Sequence, residues 1–278
     1  MLLSVRHETR YHYGEGAAGA MMRLRLNPVN CAMQQVVDWQ VTVNDEPVEP
    51  GQANSYGVPE IIWRASQRLD EAVVVAEGTV QTVDQAGILG LLEEMVSPRV
   101  FLRHGDFTKP SPAIVGMAQE ASGSDGTLAS LHDLCHFVHD HLVYQPDSTD
   151  TSTTAAEALE LGRGVCQDFA HVFISAARLL NVPARYVAGY VHDAHQPAEL
   201  HSTHGWAEAF VDGLGWVGFD PTRKICVTEH YIRLSWGQDA FDCAPLRGVA
   251  QLAGTIGMEV DVTVAAATAM RQSQAQQQ

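Results

Sequence analysis

Gly-Arg-Gly-Val-Cys-Gln-Asp-Phe-Ala-His, residues 162–171, is the stretch on which the fold of this chain turns. Its glycines read as a tight turn that delivers Cys166 to the first position of a segment running to Asn181. Phe169, Ala170, Phe173, Ile174, Ala177 and Leu180 recur there at the spacing of one helical face. The segment therefore reads as a buried amphipathic helix with Cys166 at its N-terminus. Unpaired amides and the helix dipole favour negative charge at that end, hence thiolate over thiol. A cysteine at a helix start is commonly inert core, so a role as nucleophile needs partners. Gly164 suits a close backbone approach before the cysteine. Asp168 reads as a first-turn helix acid or a group that meets substrate.

The partners lie downstream. His204 opens His-Gly-Trp-Ala-Glu-Ala-Phe-Val (204–211), an alternating run that reads as a strand. Gly-Trp-Val-Gly-Phe-Asp-Pro-Thr (215–222) reads as the next, stopped by Pro221 with Asp220 at its tip. Nucleophile, base and orienting acid thus follow in chain order. Parity decides whether they can meet. An even hairpin loop turns Asp220 to the face away from His204, whereas an odd loop places Asp220 opposite Trp206 and diagonal to His204. Diagonal neighbours are about 7–8 Å apart, close enough for these two side chains. The reading therefore requires a loop of about three or five residues, or a bulge, with Gly213 or Gly215 left-handed. Trp206 and Glu208 share the parity of His204 and are further candidates for site support, with Glu208 equally readable as a structural acceptor of a buried hydrogen bond.

Gly-Val-Cys-Gln-Asp-Phe-Ala-His (164–171), the run 179–190, residues 204–210 and residues 215–222 together resemble the transglutaminase-like superfamily of cysteine enzymes. The likeness is to the bacterial branch described as predicted cysteine proteases. It implies an α+β, papain-like core in which a Cys-bearing helix packs on an antiparallel sheet. It also implies Cys166 as nucleophile, His204 as general base and acid, and Asp220 as the residue orienting the imidazole. The Cys166 amide is a natural oxyanion donor. The resemblance suggests a second donor upstream, for which Tyr144 is the candidate, with plain core packing as its alternative.

Composition sets the outer bounds. The chain has 278 residues, 46% hydrophobic and 18% charged, as in an ordinary globular protein. A net charge of −16 argues against nucleic acid and anionic membranes as partners. It also disfavours acidic polymers unless a local basic pocket receives them. The N-terminus lacks a signal-like apolar run, and five cysteines without paired spacing fit a cytoplasmic protein. His132, Cys135, His136 and His139, with His141 nearby, share a helical face that could bind zinc or nickel. A helix with partly buried histidines is the preferred reading, and no metal or other cofactor is expected.

Residues 1–84 alternate and are β-branched, with breaks at Asn27-Pro28, Asn44-Asp45 and Pro50-Gly51. They predict an antiparallel β domain. His-Glu-Thr-Arg-Tyr (7–11) and Leu-Arg-Leu-Asn-Pro (24–28) resemble the β region that bacterial transglutaminase-like proteins often carry. Residues 85–112 read as a connector and 113–230 as the catalytic core. The core begins with a helix from Pro112 to about Ala121, a break at 122–126, and a helix to Val143. A capping box at Thr154-Ala155-Ala156-Glu157 then starts a short helix ending at Gly162. Residues 231–264 add strands on either part, and 265–278 read as a disordered or frayed tail. The loops 146–153 and 192–203 are expected to border the cleft.

The function expected is that of a cysteine hydrolase cutting a peptide or isopeptide amide in a peptide or protein substrate. A transglutaminase or amide ligase would use the same triad. An arylamine acetyltransferase-like enzyme lacks its expected acyl-donor motifs here. A non-catalytic binding module on the same fold is the reading of a different class.

Overall fold

Inward-facing side chains recur at every second position along the first strand, where Leu3, Val5, His7 and Thr9 are buried. The computed structural model describes residues 1–92, 95–123, 126–193, 203–252 and 254–267. The N-terminal part contains β1 (Leu2–Ala17), β2 (Gly19–Leu24), β3 (Gln34–Val43), β4 (Glu46–Pro47), β5 (Ile61–Ala65) and β6 (Leu69–Thr82). The connector is not strand-free. Its β7 (Ile88–Gly90) pairs with a core strand, and two short 3-10 turns follow at Pro98–Leu102 and Asp106–Thr108.

The helices α1 (Pro112–Ala121) and α2 (Thr127–His141) come next. The second stops before Val143, because Val143–Tyr144 forms β8 instead. Thr154 and Glu157 make the reciprocal capping box of α3 (Ala155–Leu161), and Gly162 closes that helix at φ 65°. Arg163–Gly164 forms β9, parallel to β8, and leads into α4 (Cys166–Leu179). Then come β10 (Ala184–Val191), β11 (His204–Val211), β12 (Gly215–Asp220), β13 (Ile225–Cys226) and β14 (Tyr231–Gly237). The chain closes with α5 (Ala240–Cys243), β15 (Leu246–Gln251) and β16 (Ile256–Ala266).

The core sheet runs β13-β12-β11-β10-β14 with β7 beside β12. The helix α4 lies across β10 and β11, surrounded by the other long helices. Phe169, Phe173 and Ala177 from the helix meet Tyr186, Ala207 and Phe219 from the sheet in one buried cluster. The opposite face holds Val187, Trp206, Trp216 and Trp236.

The C-terminal strands divide between the two parts. β14 completes the core sheet, whereas β15 pairs with β2 and β16 pairs with β1. β16 reaches Ala266, opposite Leu3, so Ala265 and Ala266 are strand rather than tail. Residues 268–278 of the expected tail lie outside the described residues, as do 194–202 of the loop 192–203 and residues 124–125 of the break after α1. Tyr190, Ile232 and Leu234 of the core sheet pack into the N-terminal cluster, and the Tyr190 hydroxyl is 3.0 Å from His7 Nδ1. Among the described residues no helix is long and apolar enough to cross a membrane.

Glu208 proves to be a structural charge. It is fully buried on β11 and takes Arg185 Nε and Arg233 Nε, each at 2.6 Å. Those guanidiniums lie 3.7 Å over the rings of Trp216 and Trp236. Burial alone would raise the carboxyl's pKa, but the two arginines hold it below the ordinary value. Glu208→Gln leaves two buried cations without their counter-ion and is expected to cost about 3–5 kcal/mol in chemical denaturation. Glu77→Gln removes an exposed pair with Arg6 and is expected to cost at most about 1 kcal/mol in the same measurement.

Candidate active site

The turn before α4 is built around Asp168. This side chain is fully buried, and its Oδ2 accepts from the Val165 amide at 2.8 Å and the Thr149 hydroxyl at 2.6 Å. It fills the space beside Gly164, where an added Cβ would fall 2.5 Å from Asp168 Oδ2. Glycine at 164 is therefore a packing requirement. Asp168 caps the helix start and ties it to the loop 146–153. Burial raises its pKa against those hydrogen bonds. Cys166 emerges half-buried at the first helical position, with its amide among the unpaired ones of the first turn.

The hairpin supplies the other two residues. Val211 pairs with Gly215 and Ala207 with Phe219, so the loop is residues 212–214, an odd length. Gly213 and Gly215 have φ of 81° and 84°. This register puts Asp220 opposite Trp206 and diagonal to His204, as the odd-loop requirement demanded. His204 Nε2 donates to Asp220 Oδ2 at 2.8 Å, and Cys166 is the second neighbour that raises the pKa of the imidazole. Because His204 is the first residue of β11, its ring stands at the strand end. There it can meet both the helix start and Asp220.

Asp220 is fully buried and well supplied with donors. Tyr231 donates its hydroxyl to Oδ2 at 2.7 Å, the Thr222 amide donates to Oδ1 at 3.0 Å, and Arg223 Nε lies 3.9 Å away. Burial alone would raise the carboxyl's pKa, yet His204 and these donors carry it below the ordinary value. Burial likewise disfavours charge on His204, whose side chain is 16% exposed. The neighbouring Asp220 carboxylate and Cys166 sulfur overcome that, and the imidazole pKa rises to about 10. Trp206 backs the ring, its own ring tilted 26° to the imidazole at 6.2 Å.

Cys166 and His204 open into a cleft of about 740 Å³, a size that accommodates an organic ligand or a short stretch of peptide. Tyr144 lines it, brought there by the pairing of β8 with β9, which sets Tyr144 beside Gly164. Tyr144 is 40% exposed, so it is a cleft wall rather than core packing. Tyr186, also in the lining, accounts for Gly205, where an added Cβ would meet the tyrosine hydroxyl.

Of the candidates, Cys166, His204 and Asp220 come together, with His204 hydrogen-bonded to Asp220 and beside Cys166 in the cleft. Tyr144, Gly164, Asp168 and Trp206 surround it, and Glu208 stands apart in the sheet. The role of Tyr231 carries no sequence signal, since its contact depends on β14 lying beside β10. On α2, His132 packs edge-on to Phe219, Cys135 is buried, and His139 Nδ1 lies 3.2 Å from the carbonyls of Pro221 and Thr222. Those contacts account for His132, Cys135 and His139, while His136 is exposed.

Residues 116–221 match the Transglutaminase-like superfamily, and residues 3–81 match the Bacterial transglutaminase-like N-terminal region. An uncharacterized protein of Mycobacterium leprae is 26% identical over 273 residues, covering 94% of this chain and 98% of that protein. One from Mycobacterium tuberculosis is 25% identical over 270 residues, covering 88% and 86%. Among solved structures, a candidate cysteine protease from Cytophaga hutchinsonii superposes with a TM-score of 0.76 at 21% identity, over 95% of this chain and 90% of that one. That likeness shows the fold.

The imidazole gives a pH signature. Its folded-state pKa lies above the ordinary value of 6.5, so the stabilisation it contributes is complete below pH 6.5. It is lost as pH rises from there through about 10. Urea denaturation between pH 6 and 10 is therefore expected to show the wild type losing stability faster than Asp220→Asn, in which the larger of the two contributions that raise the imidazole pKa is gone.

Proposed function

Because this chain belongs to the transglutaminase-like superfamily, with the bacterial N-terminal region ahead of its core, we propose that it is a cysteine hydrolase cleaving a peptide or isopeptide amide. The observation that carries this reading is the unbroken line from Cys166 through His204 to the buried Asp220, at the wall of a cleft.

The Cys166 thiolate attacks the amide carbonyl carbon, forming the C–S bond and a tetrahedral oxyanion. The Cys166 amide and the Tyr144 hydroxyl donate to that oxygen. Collapse breaks the C–N bond as the His204 imidazolium gives its proton to the departing amine, leaving a thioester. Water then attacks the thioester carbon and passes a proton to His204. The C–S bond breaks, releasing the carboxylic acid and restoring the sulfur. Asp220 keeps the imidazole oriented and offsets its positive charge throughout.

Deacylation by an added amine would make the same site a transglutaminase. Both Cys166 and His204 retain solvent exposure, which favours water as the second nucleophile.

Incubation with a library of peptide amides, followed by mass spectrometry, is expected to trap acyl adducts on Cys166. Cys166→Ala should abolish turnover, and His204→Ala should lower kcat by about 10²–10⁴. A sulfur that forms no adduct, and whose alkylation near pH 6 is unchanged by His204→Ala, would leave a binding module. A primary amine that diverts most of the thioester into a new amide would make the activity transfer. Tyr144→Phe is expected to lower kcat by about 10² with KM little changed, the loss of one oxyanion donor.

A further inference from the structure

Part of the cleft lining comes from outside the family's core region, residues 116–221. Phe241 of α5, Leu246 and Arg247 of β15 and Met258 of β16 contribute to it. Both strands belong to sheets formed with the N-terminal strands, so the N-terminal half of the molecule helps shape the cleft through them.

Arg247 lies over the Phe241 ring, its guanidinium carbon 3.4 Å from the ring centroid. That ring is itself held. Phe241 stacks on Phe107 at 6.3 Å, and Phe107 stacks on His171 at 5.7 Å. His171 Nε2 accepts from the Ala240 amide at 3.0 Å, which ties the start of α5 to α4. A guanidinium stacked by its face keeps its N–H edge for another partner.

Arg23 and Arg25 approach Glu60, at 3.7 and 2.7 Å, whereas among the described residues Arg247 is in no ion pair. Burial and the charges of Arg25 and Arg23 push its pKa below the ordinary arginine value, and Asp242 and Asp239 oppose that shift. Outside the triad, the other charged residue of the described lining, Asp147, is acidic, in a chain of net charge −16. Apart from the imidazolium of His204 at the reacting centre, a negatively charged group entering the cleft is therefore favoured at Arg247 and repelled at Asp147.

We propose that Arg247 determines specificity in this cleft by receiving a carboxylate of the substrate, from an acidic side chain or from a free C-terminus, while the amide to be cut lies at Cys166. The assignment deepens the hydrolase reading and uses it for the reaction, but the recognition can be measured without turnover. The stack on Phe241 fixes the guanidinium plane before substrate arrives, so little side-chain freedom is lost on binding. The carboxylate gains charge-assisted hydrogen bonds from a fork of matching geometry.

Matched peptides test it, differing only as Glu against Gln at successive positions, or as free acid against C-terminal amide. Their kcat/KM is measured on the wild-type chain, and their Kd on Cys166→Ala. The acidic member of one pair is expected to be favoured about 10- to 100-fold in both measurements. The pair that shows this preference identifies the side chain or the C-terminus as the source. Arg247→Gln, shown to be folded by its thermal transition, should bring that ratio close to one. Arg247→Lys should restore part of it, as a cation without the fork.

Turnover of the peptides without an acidic preference in the wild type overturns the inference and leaves the hydrolase reading standing. So does a preference that Arg247→Gln leaves intact. An acidic preference in Kd that Arg247→Gln removes, with no peptide cleaved and no adduct on Cys166, supports the inference and overturns the hydrolase reading. Absence of any acidic preference in Kd, with no turnover, overturns both.

Discussion

Asp220 can reach the imidazole of His204 only because Val211 pairs with Gly215. Side chains alternate along both strands, so a loop longer or shorter by one residue would turn Asp220 to the other face. Residues 212–214 close the hairpin with Gly213 and Gly215 at positive φ, a conformation that favours glycine. Gly215 carries a second constraint, since a Cβ there would fall 2.2 Å from the Gly90 carbonyl oxygen on β7. Turn chemistry, strand register and the approach of β7 thus fix a single arrangement.

Burying Asp220 completely would be costly for a carboxylate with nothing to bond. Here one oxygen accepts hydrogen bonds from His204 Nε2 and the Tyr231 hydroxyl, and the other accepts from the Thr222 amide. The donors that offset burial also hold the carboxylate still, and through it the ring. Trp206 and Tyr231 pack beside the imidazole, at 6.2 Å each, and limit its rotation. The same sheet buries a second charge, Glu208, in a different way. Two arginines neutralise it away from the cleft, and its role is confined to joining β10, β11 and β14. Burial and acidity alone do not distinguish the two carboxylates; their neighbours do.

Much of this was legible in the sequence because it rests on local periodicity. The helical face of 166–180, the capping box at Thr154 and the alternation in β11 and β12 each declare an element within a short window. Hairpin parity brings Asp220 to His204 only if the loop is odd, which residues 212–215 left open and the pairing of Val211 with Gly215 decides. What was not legible depends on strands far apart in the chain. β7 is three residues long and has meaning only beside β12. Glu208 shares the parity of His204, yet its carboxylate is claimed by Arg185 and Arg233 from the neighbouring strands β10 and β14. Tyr231 looks like an ordinary strand residue until β14 pairs with β10. The helix α2 carries histidines at metal-like spacing, but packing against Phe219 and nearby carbonyls sets their surroundings.

The return of the C-terminal strands to the N-terminal sheets ties the two halves of the molecule to the same cleft. β1 is flanked by β6 on one side and β16 on the other, so the first and last described strands are neighbours. Val262 and Val264 of β16 are buried in the cluster that also takes Tyr190 and Ile232 from the core sheet. The apolar contact that seats the N-terminal strands on the core therefore also seats β16, which carries Met258 into the cleft lining. The helix start and the β11–β12 hairpin form one side and supply the reacting groups. Another part of the lining comes from β15 and β16, strands whose position depends on the N-terminal sheets. Chemistry and selection are thus separate in sequence, with packing between the two sheets joining them in space.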